Sequence, residues 1–186
     1  MKRKLSEITE ISLGASITRY SKKYDGEKQE TDVVYSSVNE FYTKKEQIAT
    51  DINSKYLTQK NDVVFKLTEP QAAISINETS EIPEGAVVTS KYVILKPKNV
   101  NSEFLAELLN SDIAKNQYNK FSEGIIKQIK KTDLNKIEFE IPTIKEQKKA
   151  VEHIKLINEE INLQKQLIDE YTNLKEGIIQ KTQGVE

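Results

Sequence analysis

The chain has 186 residues, 37% hydrophobic and 31% charged, with a net charge of −1 and no cysteine. That length supports one domain with a true core plus an appendage. The composition excludes disulfide frameworks, thiol nucleophiles and zinc–thiolate sites, and no apolar run approaches the roughly 18 residues of a membrane span. Met1-Lys2-Arg3-Lys4 is basic but is followed by no apolar stretch of signal-peptide type, so a cytoplasmic protein is expected.

Along the chain, Leu5, Ile8 and Ile11 have the spacing of a short helical turn or a packed extended segment, ended by Gly14. Residues 15–30 are polar and read as a loop. Strands are expected at Asp32–Tyr35, Asp62–Leu67, Ala72–Ile76, Ala86–Val88 and Lys91–Leu95, each rich in β-branched or aromatic residues. Ile82-Pro83-Glu84-Gly85 is a turn signal. Asn101-Ser102 caps a helix carrying Phe104, Leu105, Leu108 and Leu109, and a second helical piece covers about 111–121 before Gly124 breaks it. Ile137–Ile141 alternates apolar and charged residues and reads as a half-exposed strand.

The pattern changes at Pro142. Thr143 and Glu146 have capping-box spacing, and no proline follows. Val151, Ile154, Ile157, Ile161, Ile168, Tyr171, Leu174 and Ile178 then make a near-heptad seam, with Gln164 in the skipped place. A helix to about Gln180 would be roughly 55 Å long. So long a helix cannot bury a narrow stripe on a small domain along its whole length, so a partner helix is expected. The predicted fold class is α+β: a small mixed domain with an irregular β-sheet over 1–141, then one long C-terminal coiled-coil helix over 142–186.

Net charge hides its distribution. Residues 115–131 hold Lys115, Lys120, Lys127, Lys130 and Lys131 against Glu123 alone. Lys127, Gln128, Lys130 and Lys131 follow a glycine, as a phosphate-contacting loop does. Arg19, Tyr20, Lys22 and Lys23 form a second basic group, in which Arg suits guanine and Tyr suits a base or sugar. Gln71 and Lys91 are further candidates. With balanced charge, binding to DNA is expected to be weak without a partner. No phosphate loop, methyltransferase signature or common nuclease pair is present, no cofactor or metal is expected, and the single histidine, His153, reads as a solvated or interface residue.

Several segments together resemble one family. Lys4–Gly14 is similar to the opening of type I restriction–modification specificity subunits, and Phe104-Leu105-Ala106-Glu107-Leu108-Leu109-Asn110-Ser111 resembles a helix they share. Gly124 with Ile129 and Leu134 resembles their glycine turn before a short helix, and Ile141-Pro142-Thr143-Ile144-Lys145-Glu146-Gln147 resembles the signature that opens their long helix. Leu174–Lys181 resembles its close. The chain departs from the pattern in having Pro-Thr-Ile where a second proline is usual, and in Ile125 and Ile126 after Gly124. It has room for one recognition domain and one helix, where the family usually carries two of each.

The resemblance implies a non-enzymatic target-recognition domain that reads a half-site in double-stranded DNA through Arg19, Tyr20, Lys22, Lys23, Gln71, Lys91, Lys120, Lys127, Gln128, Lys130 and Lys131. It implies an antiparallel homodimer through Ile154, Ile157, Ile161, Gln164, Ile168, Tyr171, Leu174 and Ile178. The implied partners are methyltransferase subunits, which carry the catalysis, and a restriction subunit. The alternative is a regulator: a lone half-subunit that joins a host methyltransferase and redirects or blocks it.

Overall fold

The computed structural model describes residues 2–37, 40–121 and 127–184. The chain divides into two compact units, Met1–Gln147 and Lys148–Glu186. The first is built from β1 (Lys2–Lys4), α1 (Leu5–Ile8), β2 (Thr9–Leu13), α2 (Ile17–Tyr20), β3 (Lys28–Ser36), β4 (Phe41–Ala49), β5 (Val63–Lys66), β6 (Ala73–Ser75), β7 (Tyr92–Pro97), α3 (Ser102–Asn110), α4 (Asp112–Tyr118), α5 (Lys131–Leu134) and β8 (Glu138–Glu140). The long helix α6 (Ile144–Thr182) begins in the first unit and continues as the second.

Four strands make the central sheet, in the order β2-β7-β5-β6, all antiparallel. The inner strands β5 and β7 are buried on both faces, which is why they read as unbroken apolar runs. Val63, Phe65, Val93 and Leu95 face one core with Leu105, Leu109, Tyr118 and Phe139. Val64, Tyr92 and Ile94 face another with Val34, Phe41, Ile76 and Ile82. Period-two alternation thus feeds two cores from one sheet. In the first core the Tyr118 hydroxyl donates to the Leu109 carbonyl at 2.8 Å.

Two smaller sheets complete the unit. β1 pairs with β8, setting Lys2 opposite Glu140 and Lys4 opposite Glu138. β3 and β4 form a ribbon of two nine-residue strands, in register from Lys28↔Ala49 to Ser36↔Phe41.

The expected helices and caps are present. The Asn101 side chain accepts from Phe104 N at 2.9 Å, opening α3. Thr143 N donates to Glu146 Oε2 at 2.8 Å and Glu146 N to Thr143 Oγ1 at 3.4 Å, so the capping box forms. At 39 residues, α6 is about 58 Å long. Leu5–Leu13 takes both of its predicted forms in turn, one helical turn and then a strand. Gly14 ends that strand because a Cβ there would sit 2.2 Å from the Thr89 carbonyl oxygen. The helix-breaking role expected of Gly124 falls outside the described residues.

Three expectations are corrected. Residues 15–30 are not a loop throughout: they hold α2 and the start of β3. Ala86–Val88 is buried but makes no strand, only bridges from Val87 to Val33 and Leu57. Its amides are instead met individually: Val87 N donates to Asp32 O at 2.7 Å and Ala86 N to Thr58 Oγ1 at 3.0 Å. Finally, β4 has no counterpart in the predicted elements. Within the β3–β4 sheet its only neighbour is β3, and its outward positions carry Lys44, Lys45 and Gln47, so the apolar alternation that marks a strand is broken.

Side-chain amides close the remaining backbone groups. On the outer edge of β6, Ala73 N donates to Asn110 Oδ1 at 2.7 Å and Asn110 Nδ2 donates to Ala73 O at 2.9 Å. Beside β8, Gln117 makes the same pair with Glu138 at 3.0 and 2.8 Å. Gln147 is fully buried; it accepts from Asn101 N at 2.7 Å and donates to Pro142 O at 2.8 Å. Replacing Asn110 with alanine strands both polar groups of a buried residue. N110A should therefore lower the unfolding free energy by about 1–3 kcal/mol, read as a shift in the urea midpoint at unchanged slope.

Candidate nucleic-acid interface

The predicted DNA-facing residues fall into two groups. The first stands on α2 and the turn after it. Arg19, Lys22 and Lys23 are exposed. Tyr20 is half-buried, tilted against Tyr56 with ring centroids 5.9 Å apart. With Ile17 and Tyr35 it packs on the small core of Val33, Ile48 and Val87. That core fixes α2 on the β3–β4 ribbon, so Lys22 shares a shallow hollow with Ser21, Lys28, Glu46 and Gln47.

The second group converges on residues 67–71. Leu67 N donates to the Lys91 carbonyl at 3.1 Å, and Leu67 O accepts from Ile129 N at 3.0 Å. Gln128 bridges Thr68, and Glu69 N donates to the Lys127 carbonyl at 2.9 Å. Lys91, Lys127 and Gln128 are thereby brought beside one short segment, their side chains exposed. Lys127 Nζ lies 3.9 Å from Glu69 Oε1, so part of its charge is already met. Lys130 and Lys131 open α5 with free, exposed side chains. Lys120, just past α4, is exposed as well. Gln71 lines a different feature, an open groove of about 620 Å³ with Asn77, Thr79, Ser80 and Asn110.

Sequence reasoning passed over the ribbon. Tyr35 and Tyr42 stack with centroids 6.0 Å apart, and Lys44 Nζ lies 5.7 and 5.6 Å from their centroids. The Tyr35 hydroxyl donates to the Glu46 carboxylate across the strands. The register that joins them, Tyr35 to Tyr42 and Thr31 to Glu46, is a tertiary fact, and only the repeated tyrosines marked it in the sequence.

Along the second unit, every described position from 155 to 184 is exposed. Ile157, Ile168, Tyr171, Leu174 and Ile178 of the expected seam are all more than half exposed, and Ile161 is 43% exposed, whereas Ile154 is half-buried. Gln164 is exposed, its Nε2 donating to Glu160 Oε1 at 3.3 Å on the same helix. The apolar face is broader than the predicted stripe. Leu156, Leu163, Leu167 and Ile179 belong to it too, and at 100° per residue the set covers an arc of about 160°. His153 is exposed. Among the described residues no cluster of His, Cys, Asp or Glu suits a metal ion, and no helix is long and apolar enough to cross a membrane.

Residues 1–173 match the family model described as "Type I restriction modification DNA specificity domain". No match is found among curated proteins. Solved structures share the fold, among them the following three. A chain from a study of complex assembly and conformational transition of the type I R-M system aligns with a TM-score of 0.63 at 15% identity, over 90% of this chain and 40% of that one. The HsdS subunit from Thermoanaerobacter tengcongensis gives 0.61 at 15% identity, over 90% and 39%. The type I S subunit from M. genitalium gives 0.57 at 14% identity, over 86% and 39%. The chain thus spans about two-fifths of the length of the structures it resembles.

Burial and the Glu46 hydrogen bond push the Tyr35 phenol up to about 12 from its ordinary 10. The folded chain therefore keeps a proton that the unfolded chain loses above pH ~10. The associated stability is full below that pH and is lost as pH rises toward ~12. In Tyr35→Phe, urea midpoints should fall less steeply over this interval than in wild type. Identical slopes would mean that the Tyr35–Glu46 bond carries no such stability.

Proposed function

The chain belongs to the family of type I restriction modification DNA specificity domains, and from that premise we propose that it reads one half-site of a bipartite DNA target and brings methyltransferase subunits to it as an antiparallel homodimer. Residues 1–141 are the reading domain and residues 142–186 the docking helix. Arg19, Lys22, Lys23, Lys120, Lys127, Lys130 and Lys131 supply phosphate contacts, with Tyr20, Gln71, Lys91 and Gln128 nearer the bases. Catalysis lies in the partner subunits.

The observation that carries this reading is the bare apolar face of α6. A two-helix seam needs a narrow stripe, and a core-facing helix a face of a little over 100°. An arc of about 160° exposed over some 25 residues exceeds one seam. It supports two neighbours at once: a second copy along Ile154, Ile157, Ile161, Gln164, Ile168, Tyr171, Leu174 and Ile178, and a methyltransferase segment along Leu156, Leu163 and Leu167. Gln164, inside the face, sets register in the pairing, as polar seam residues do. Two identical halves imply a palindromic bipartite target, since two-fold protein symmetry is mirrored in the DNA.

Two measurements test this. Light scattering at micromolar concentration should give a dimer, and Ile157→Glu with Ile168→Glu should give a monomer of unchanged sheet content. A wild-type monomer that the double variant does not alter would rule out the homodimer. Reconstitution with the neighbouring methyltransferase should yield adenine methylation at one palindromic bipartite sequence. A stable complex that methylates without sequence preference would instead favour the regulator.

A further inference from the structure

The ribbon β3–β4 is anchored where it meets the cores and bare elsewhere. Val33 and Ile48 hold one of its faces, and Val34 and Phe41 hold the other. Beyond these anchors the side chains are polar or aromatic and open to solvent: Gln29, Tyr42, Lys44, Lys45 and Gln47 are all exposed. The register places Gln29, Thr31, Val33 and Tyr35 on the same face as Tyr42, Lys44, Glu46 and Ile48. On that face Ile17 and Tyr20 of α2 pack over Val33 and Ile48, which brings Lys22 beside Lys28, Glu46 and Gln47, with Arg19 and Lys23 exposed on the same short segment.

The cations of this surface have no carboxylate partner among the described residues, Lys44 resting only on the Tyr35 and Tyr42 rings. Among the described residues Lys45, Lys60, Lys115, Lys127 and Lys136 each have a carboxylate within 4.0 Å. Arg19, Lys22, Lys23, Lys28 and Lys44 are in no such pair. The acid among them, Glu46, is engaged by the Tyr35 hydroxyl. Lysines on an edge strand commonly serve only to block strand pairing. That role does not explain Tyr42, a 37%-exposed aromatic stacked on Tyr35 beneath Lys44, since an exposed aromatic makes an edge more adhesive. The shape also fits a duplex. Nine residues span about 30 Å, and the major groove, about 12 Å wide, admits a two-stranded ribbon.

We propose that the exposed face of the β3–β4 ribbon is the element that enters the major groove, with Lys44 and Tyr42 at base edges and Arg19, Lys22, Lys23 and Lys28 on the flanking phosphates. The ammonium of Lys44 suits the O6 and N7 acceptors of guanine, and the Tyr42 ring suits a thymine methyl or a sugar. This rests on the domain being a DNA reader, and it moves the principal base contacts from Tyr20, Gln71, Lys91 and Gln128 to the ribbon.

The test uses the full chain and DNA duplexes with a randomised stretch, selected at low salt, about 50 mM. Wild type should enrich one short sequence. Lys44→Ala and Tyr42→Ala should each weaken binding to that sequence by roughly five- to a hundredfold, with little change on bulk duplex, and should relax preference at one position. Lys22→Ala with Lys23→Ala should weaken both bindings alike and lower the slope of log affinity against log salt by about 2. Lys44→Arg and Tyr42→Phe should keep most of the affinity, and urea midpoints of all variants should match wild type, which separates lost contact from lost fold. If Lys44→Ala and Tyr42→Ala bind and select as wild type while Lys130→Ala with Lys131→Ala loses the preference, the ribbon proposal fails and DNA reading stands. If wild type enriches no sequence, the reading domain itself is refuted and the ribbon with it.

Discussion

A side-chain amide presents a hydrogen-bond donor and an acceptor side by side, as a peptide group does. The first unit depends on that likeness. Its three sheets are short and end in open edges, so backbone groups are left over at their margins. Asn110 takes the outer edge of β6, Gln117 takes Glu138, and Gln147 joins the cap of α3 to Pro142. Asn110 and Gln117 each act as a single peptide's worth of extra strand. A buried polar group left unmade costs about 1–3 kcal/mol, a large part of the stability of a domain this size. All three also join segments distant in sequence, so they hold the arrangement of elements as well as their count.

Much of this was legible in the sequence where a local rule decides the outcome. The caps at Asn101 and Thr143 needed only the residue and its third neighbour. β5, β7 and β8 announced themselves because burial on both faces, or strict alternation at Phe139, leaves a direct trace. The elements that were missed have non-local causes. β4 is polar because its outer side faces solvent, and only its register with β3 makes it a strand. Ala86–Val88 looked like a strand because it is buried, but Thr58 and Asp32 supply its partners one by one. Of the candidate site, the cations were visible and their grouping was not. Lys91 and Lys127 meet through Leu67 and Glu69, contacts that no spacing rule contains. The amide motif around Asn110 and Gln147 was visible as family signature, while its meaning as backbone capping came from the fold.

The two units solve opposite problems. In the first, among the described residues no buried side-chain polar atom lacks a partner, and the apolar residues fill two cores. In the second, large apolar side chains stand in water for seven turns. Helices draw most of their stability from the packing of an apolar face and little from propensity, which is why the pairing proposed for α6 matters to the helix itself. Charge follows the same division of labour. A net charge of −1 gives little long-range attraction to DNA, so the proposed contact rests on local groups that are in no ion pair among the described residues.

The pairing of β1 with β8 has a consequence beyond stability. Lys2–Lys4 lies against Glu138–Glu140, so the chain enters the domain and leaves it at a single hinge line. What lies between is a closed loop of more than 130 residues whose two feet are hydrogen-bonded to each other. Loops and ribbons within that closed circuit can be exchanged, lengthened or resequenced while the feet stay where they are. In evolutionary terms the unit is a cassette: a new surface can be built between its paired feet without disturbing them.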